Sequence, residues 1–183
     1  MSDSSIQSRY EVVKKEPTDM WEHMDVLKAH SAQCASVVEF GVYDCTSTWA
    51  LLAGLPKKLT SYDIARQPEV DEVEQAASDS STQFKFVLAS STEVELDPVD
   101  LLFIDSKHTY EHLKAELALH ANKVGRYIIL HDTTTFGHVD ENYSGRGLWP
   151  AVEEFLADHP EWTIRQRLTN CHGLTVLERV KQE

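Results

Sequence analysis

The sequence predicts an α/β protein: a doubly wound sheet, mostly parallel, with helices on both faces and an antiparallel C-terminal hairpin. Three observations predict it. Short apolar runs alternate with helical stretches along most of the chain, the pattern of a parallel sheet covered on both sides. The last two β-like runs have no helix between them, so they pair antiparallel. The 183 residues are 42% apolar, which suits one domain with a full core and no staples.

The domain is expected to span residues 1–183. Residues 1–9 are polar, and residues 1–16 read as a flexible N-terminal segment. Thr18 or Asp19 can cap a helix running to about His30, with Trp21, Met24, Val26 and Leu27 as apolar positions. Val37 to Val42 is a buried strand that meets Gly41 near its end. Ser47 is the expected N-cap of a helix over Thr48 to Ala53, which Gly54 and Pro56 stop. Lys58 to Asp63 is a strand, Glu69 to Ala77 a helix and Phe84 to Leu88 a strand. Val99 to Asp105 is a strongly apolar strand ending in a carboxylate, and Thr109 to Asn122 is a helix. Tyr127 to His131 is a strand ending in a polar cluster. Trp149 to Asp158 is a helix that tolerates Pro150 in its first turn. Trp162 to Leu168 and Gly173 to Arg179 form the closing hairpin, expected at the sheet edge.

Charge and cysteine usage exclude several classes. Seventeen basic against 30 acidic residues leave a net charge of −13, which disfavours nucleic acid and anionic membrane as partners. Cys34, Cys45 and Cys171 are odd in number and form no CxxC pair, so they read as reduced thiols in a cytoplasmic protein. No apolar run resembles a signal peptide or a membrane span.

In such sheets the ligand sits beyond the carboxyl ends of the strands. Glu39, Gly41, Asp63, Ser90, Asp105, His131 and Asp132 stand there. The GxGxxG and P-loop fingerprints are both absent. Asp63 follows Gly41 by 22 residues, a placement suited to ribose hydroxyls; its competing reading is a helix cap. Asp105 and Asp132 end adjacent strands and, with His131, suit Mg²⁺ or another divalent cation. His108-Thr-Tyr-Glu111-His112 matches the inverted zinc-peptidase pattern HxxEH, a remote alternative that zinc titration with a peptidase assay would decide. The aperiodic stretch Phe136 to Arg146 follows the His131-Asp132 strand, where a substrate loop belongs. His138, Asn142, Tyr143 and Arg146 are its candidate substrate contacts, with a passive connection as the competing reading.

Glu39-Phe-Gly-Val, Ser47-Thr-Trp49 and Ser61-Tyr-Asp-Ile64 resemble the opening of the class I S-adenosylmethionine-dependent methyltransferases. Leu101-Leu-Phe-Ile-Asp105, His108-Thr-Tyr110, Ile129-Leu-His-Asp-Thr133, Gly147 to Phe155 and Asn170 to Leu177 are similar to their small O-methyltransferase and cephalosporin hydroxylase-like branch. The resemblance covers residues 20 to 180 and implies a Rossmann-like methyltransferase domain. It implies that Glu39 and Gly41 face the methionine part of S-adenosylmethionine, Asp63 the ribose and Ser90 the adenine. It also implies a metal at Asp105, His131 and Asp132, and a general base at His108, whose imidazole suits proton transfer near neutral pH. A helix N-terminus just beyond His108 is expected to lower its pKa. Three residues depart from the pattern: Cys45 and Ser106 replace glycines, and Ser90 replaces an aspartate. The expected reaction is methyl transfer to a small-molecule hydroxyl. The alternative is a cofactor-binding or scaffold protein of the same fold without turnover. Expected partners are the hydroxyl substrate and, at most, further copies of the chain in a homo-oligomer.

Overall fold

The computed structural model describes residues 2–180. In chain order the elements are α1 (Ser2–Val13), α2 (Met24–Ser31), β1 (Ser36–Phe40), α3 (Thr46–Ala53), β2 (Lys58–Asp63), α4 (Glu69–Ser78) and β3 (Gln83–Leu88). There follow β4 (Val99–Ile104), α5 (Tyr110–His120), β5 (Val124–His131), α6 (Leu148–Asp158), β6 (Trp162–Leu168) and β7 (Leu174–Arg179). The sheet order is β3-β2-β1-β4-β5-β7-β6. Neighbours among β1 to β5 are parallel, while β7 runs antiparallel to both β5 and β6. This is the doubly wound, mostly parallel sheet with an antiparallel C-terminal pair that the sequence predicts. The last strand, β7, inserts between β5 and β6, so only β6 of the pair is an edge. Among the described residues no helix is long and apolar enough to cross a membrane.

Strand parity divides the core. Val37, Leu101, Phe103, Tyr127 and Ile129 face one side, where α1 to α4 pack through Ile6, Met24, Leu51 and Val70. Val38, Phe40, Leu102, Ile104, Ile128 and Leu130 face the other, where α5 and α6 pack through Leu113, Leu117, Val152 and Phe155. These alternating side chains account for the fully apolar runs: both faces are covered.

Three local readings are corrected. The N-terminal segment is helical: Ile6, Tyr10 and Val13 form a narrow stripe at helical spacing and are buried. Tyr10 donates its hydroxyl to Asp25, and Gln7 donates to the Ala53 carbonyl at 2.7 Å. The expected helix from Thr18 or Asp19 begins instead as a 3₁₀ turn at Trp21–His23 that leads into α2. Ser47 does not cap α3; Cys45 stands at the N-cap position with left-handed backbone (φ +65°) and no side-chain capping bond, and Ser47 turns its hydroxyl inward.

Candidate active site

The strand order reverses between β1 and β4, and a cleft of about 520 Å³ opens there beyond the strand ends. Gly41, which follows β1, has φ +87°, and a Cβ on it would lie 2.0 Å from the Asp105 carbonyl oxygen. Only glycine lets the β1 and β4 ends approach this closely. The loop that follows is left-handed at Tyr43 (φ +43°) and Cys45 (φ +65°). A glycine would sit there without strain; Cys45 is instead completely buried.

Asp63, at the end of β2, is not a helix cap. Its Oδ2 accepts from the Val42 and Tyr43 amides at 2.7 and 3.1 Å, and its Oδ1 accepts from Ala65 at 2.9 Å. Its carboxylate thus ties the β1 loop to β2 while lining the cleft beside Tyr62, Ile64 and Ser90. Ile64 and Tyr43 are 79% and 75% exposed at this mouth.

Glu39 is elsewhere. Parity turns it to the α3 face, in register with Ser61 and beneath the first turn of α3. Its buried carboxylate accepts from Ser47 (2.6 Å), Thr48 (2.8 Å) and Ser61 (2.5 Å), and it does not line the cleft. Burial pushes its pKa up to about 7, against the lowering effect of the three hydroxyls. The folded state therefore favours the protonated acid. That contribution is complete below the ordinary value of 4.5 and is lost as pH rises through about 7. Across that window the loss is about 3 kcal/mol. Glu39→Gln removes it: between pH 5 and pH 8 the parent's Tm is expected to fall by about 5–10 °C more than the variant's. Thermal unfolding at the two pH values measures the difference.

Asp105 follows β4 on the same parity as Phe103, and His131 ends β5 on the parity of Ile129, its cross-strand partner. The two side chains meet: His131 Nδ1 lies 3.3 Å from Asp105 Oδ1 and 3.7 Å from Asp132 Oδ2. Asp132 reaches the same side through a left-handed backbone (φ +58°), a conformation aspartate tolerates better than most residues. His131 Nε2 faces the Cys171 carbonyl at 3.1 Å while Nδ1 faces the carboxylates, so the protonated ring donates on both sides. Ligand atoms of Asp105, His131 and Asp132 all lie within 4.8 Å of one another. Among the described residues, the ionic neighbours of both aspartates are histidines, never lysine or arginine.

His108 closes the cluster. Its Nε2 lies 3.2 Å from Asp105 Oδ1 and 3.0 Å from Asp132 Oδ2, and its Nδ1 lies 3.1 Å from Glu141 Oε2. Phe136 stacks on the ring at 5.0 Å. Burial opposes a charged ring, but the hydrogen bond to Asp105 and the charges of Asp132, Asp105 and Glu141 outweigh it and raise the pKa. The expected lowering fails because His108 precedes the Thr109 cap, and its own amide donates to Glu141 rather than joining α5. His131 is likewise raised to about 9: burial opposes the charge, and Asp105 and Asp132 prevail. For Asp105, burial works upward, but hydrogen bonds from His108 and His131 hold the carboxyl well below its usual range. Asp132 is raised, burial being the leading cause. The cluster attracts positive charge.

The loop over residues 133–147 behaves differently from expectation. His138, Asn142, Tyr143 and Arg146 are exposed and do not line the cleft. Arg146 stacks on Tyr110 at 3.8 Å and pairs with Glu154 at 3.1 Å, so it is already engaged. Asp140 organises the turn by accepting from the Asn142 and Ser144 amides. Glu141 and Phe136 are the loop residues that reach the cluster; with no period in this stretch, no sequence signal marked them.

The HxxEH reading is contradicted. His108 lies outside α5 and faces Asp105 and Asp132, whereas His112 faces Ser91 and Glu116. The two rings serve separate clusters, and Glu111 is exposed.

Residues 9–179 match the family described as Rhamnosyl O-methyltransferase/CmcI. No curated protein matches the sequence significantly. A Corynebacterium glutamicum protein shares the fold at 18% identity and a TM-score of 0.71, over 100% of this chain and 91% of that one. A Podospora anserina methyltransferase bound to S-adenosylhomocysteine (SAH) superposes with a TM-score of 0.65 at 13% identity, over 97% and 88% of the two chains. A Bacillus cereus O-methyltransferase in complex with SAH gives 0.65 at 14% identity, over 98% and 90%. The chain belongs to the Rhamnosyl O-methyltransferase/CmcI family and shares its fold with methyltransferases solved with SAH.

Proposed function

We propose that the chain transfers the methyl group of S-adenosylmethionine to a hydroxyl of a small molecule, in the cytoplasm, at a divalent cation held by Asp105, His131 and Asp132. The observation that carries this reading is the convergence of two carboxylates and one oriented imidazole beside the switch-point cleft. Two carboxylates and a nitrogen suit Mn²⁺ or Fe²⁺ at least as well as Mg²⁺, which prefers oxygen alone. The cytoplasmic assignment is supported by three free thiols.

When bound, the cation lowers the pKa of the acceptor hydroxyl. The chain supplies the rest. Gly41 lets the methionine part of the cofactor approach the backbone. Asp63 has about four lone-pair positions and gives three of them to amides, so it retains acceptor capacity for ribose hydroxyls. With a cation held at Asp105 and Asp132, His108 Nε2, which lies 3.2 and 3.0 Å from those two carboxylates, would be the group placed to take the hydroxyl proton. Methyl transfer is then an in-line displacement, and placing oxygen, methyl carbon and sulfur on one axis is the main catalytic task.

Asp63→Ala is expected to weaken SAH binding by about 1.5–3 kcal/mol, since it removes charge-assisted hydrogen bonds and loosens the Val42-Tyr43 loop. Calorimetric titration of SAH into parent and variant tests it. Equal affinities would take Asp63 out of the cofactor site.

A further inference from the structure

Methyl transfer does not explain the carboxylate of Glu116. This side chain on α5 is completely buried. Its Oε1 accepts from the Ser106 hydroxyl at 2.6 Å, while its Oε2 has no partner among the described residues, and the side chain borders a water-sized cavity that Ser106 and Lys107 share with the cleft. A buried carboxylate oxygen without a partner is costly and calls for a reason. One turn earlier on the same helix, His112 Nε2 lies 3.3 Å from Glu116 Oε1 and 3.2 Å from Ser91 Oγ. The i, i+4 spacing thus fixes an imidazole against a buried acid. The ring is 22% exposed and lines the cleft with Tyr62, Ile64, Ser90 and Ser91. Its Nδ1 has no partner among the described residues.

In the neutral ring, an N–H at Nε2 directed to the carboxylate leaves Nδ1 as an acceptor. His112 lines the same cleft as Gly41 and Asp63; with the methionine part at Gly41 and the ribose at Asp63, the cofactor's purine would rest among Ile64, Ser90, Ser91 and His112. The neighbouring strand end offers no carboxylate: Ser90 is there, and its hydroxyl bonds to Thr92 at 3.0 Å. We propose that His112, oriented by Glu116 and Ser91, is a specificity-determining residue that accepts a hydrogen bond from the amino group of the cofactor's adenine. His112 does at this end what a carboxylate at position 90 would otherwise do. The inference rests on the S-adenosylmethionine reading above, and its test separates the two.

The probes are SAH and its 6-desamino analogue, in which the adenine amino group is replaced by hydrogen. Both are titrated calorimetrically at pH 8 without metal. The parent is expected to favour SAH by about ten-fold, the value of one hydrogen bond at a partly buried site. His112→Ala and His112→Phe are expected to bring the ratio to within about two-fold of unity, mainly by weakening SAH. His112→Phe fills the space without an acceptor, so loss of packing cannot mimic the result. Glu116→Gln, which keeps the side chain's shape but loosens the ring, is expected to give an intermediate ratio. A merely structural role would weaken both ligands together and leave the ratio unchanged. An unchanged ratio in both His112 variants, or a parent that binds SAH without discrimination, overturns the inference and leaves the cofactor reading standing. A parent that binds neither ligand overturns both.

Discussion

Asp132→Asn is expected to abolish divalent-cation binding and to lower methyl transfer by about 10³-fold, with SAH affinity nearly unchanged. The substitution keeps the volume and one acceptor but removes one of the two charges that converge on the cluster. Asp132 Oδ2 stands 3.0 Å from His108 and 3.7 Å from His131, so its charge acts on both imidazoles. It does not line the cleft, which is why cofactor affinity should survive. Titration with Mn²⁺ and turnover of S-adenosylmethionine against a panel of small hydroxyl acceptors measure the two effects. Cation affinity equal to the parent's would remove Asp132 from the metal site.

His108→Gln is expected to lower single-turnover methyl transfer by about 10²–10⁴-fold, the usual size of general-base catalysis. Glutamine retains hydrogen-bonding reach towards Asp105, Asp132 and Glu141 but cannot take up a proton near neutral pH. The competing role is purely structural, since both ring nitrogens already hold carboxylates and Phe136 stacks on the ring. A structural role predicts a lower Tm with an unchanged rate per folded molecule. The base role predicts the reverse weighting. Measuring both quantities on one variant decides between them.

The fold was legible because parallel strands covered on both faces leave unbroken apolar runs, as at Leu101 to Ile104 and Ile128 to Leu130. The same runs placed Asp105, His131 and Asp132 at neighbouring strand ends, and the structure brings their ligand atoms together. Ser47 misled because serine is a good N-cap wherever it stands; here the parity of Glu39 creates an inward demand for its hydroxyl that no local pattern shows. Parity also explains Glu39 itself: ending near a glycine turn does not determine which face a strand residue takes. The N-terminal helix was hidden by its narrow stripe, since Ile6, Tyr10 and Val13 are its buried contacts in an otherwise polar stretch. Glu141 was out of reach because an aperiodic loop does not reveal which residue turns inward. By contrast, His112 was visible in the HxxEH pattern, paired with His108 at i, i+4 spacing, and was read for zinc. What sequence could not supply was that the helix begins after His108, which splits the two histidines between separate clusters.

The central claim is that the switch-point cleft holds S-adenosylmethionine next to a cation-binding carboxylate pair. Calorimetric titration of SAH into the full chain, with and without Mn²⁺, tests it most directly. The account predicts one site per chain, with a Kd between about 1 μM and 1 mM, the range in which enzymes usually hold their substrates. It further predicts separate Mn²⁺ binding that Asp132→Asn abolishes, and SAH binding that Asp63→Ala weakens. No heat of SAH binding at millimolar ligand, with the protein folded, would contradict the account and leave a scaffold of the methyltransferase fold whose cofactor loop, strained at Cys45, no longer closes on a ligand.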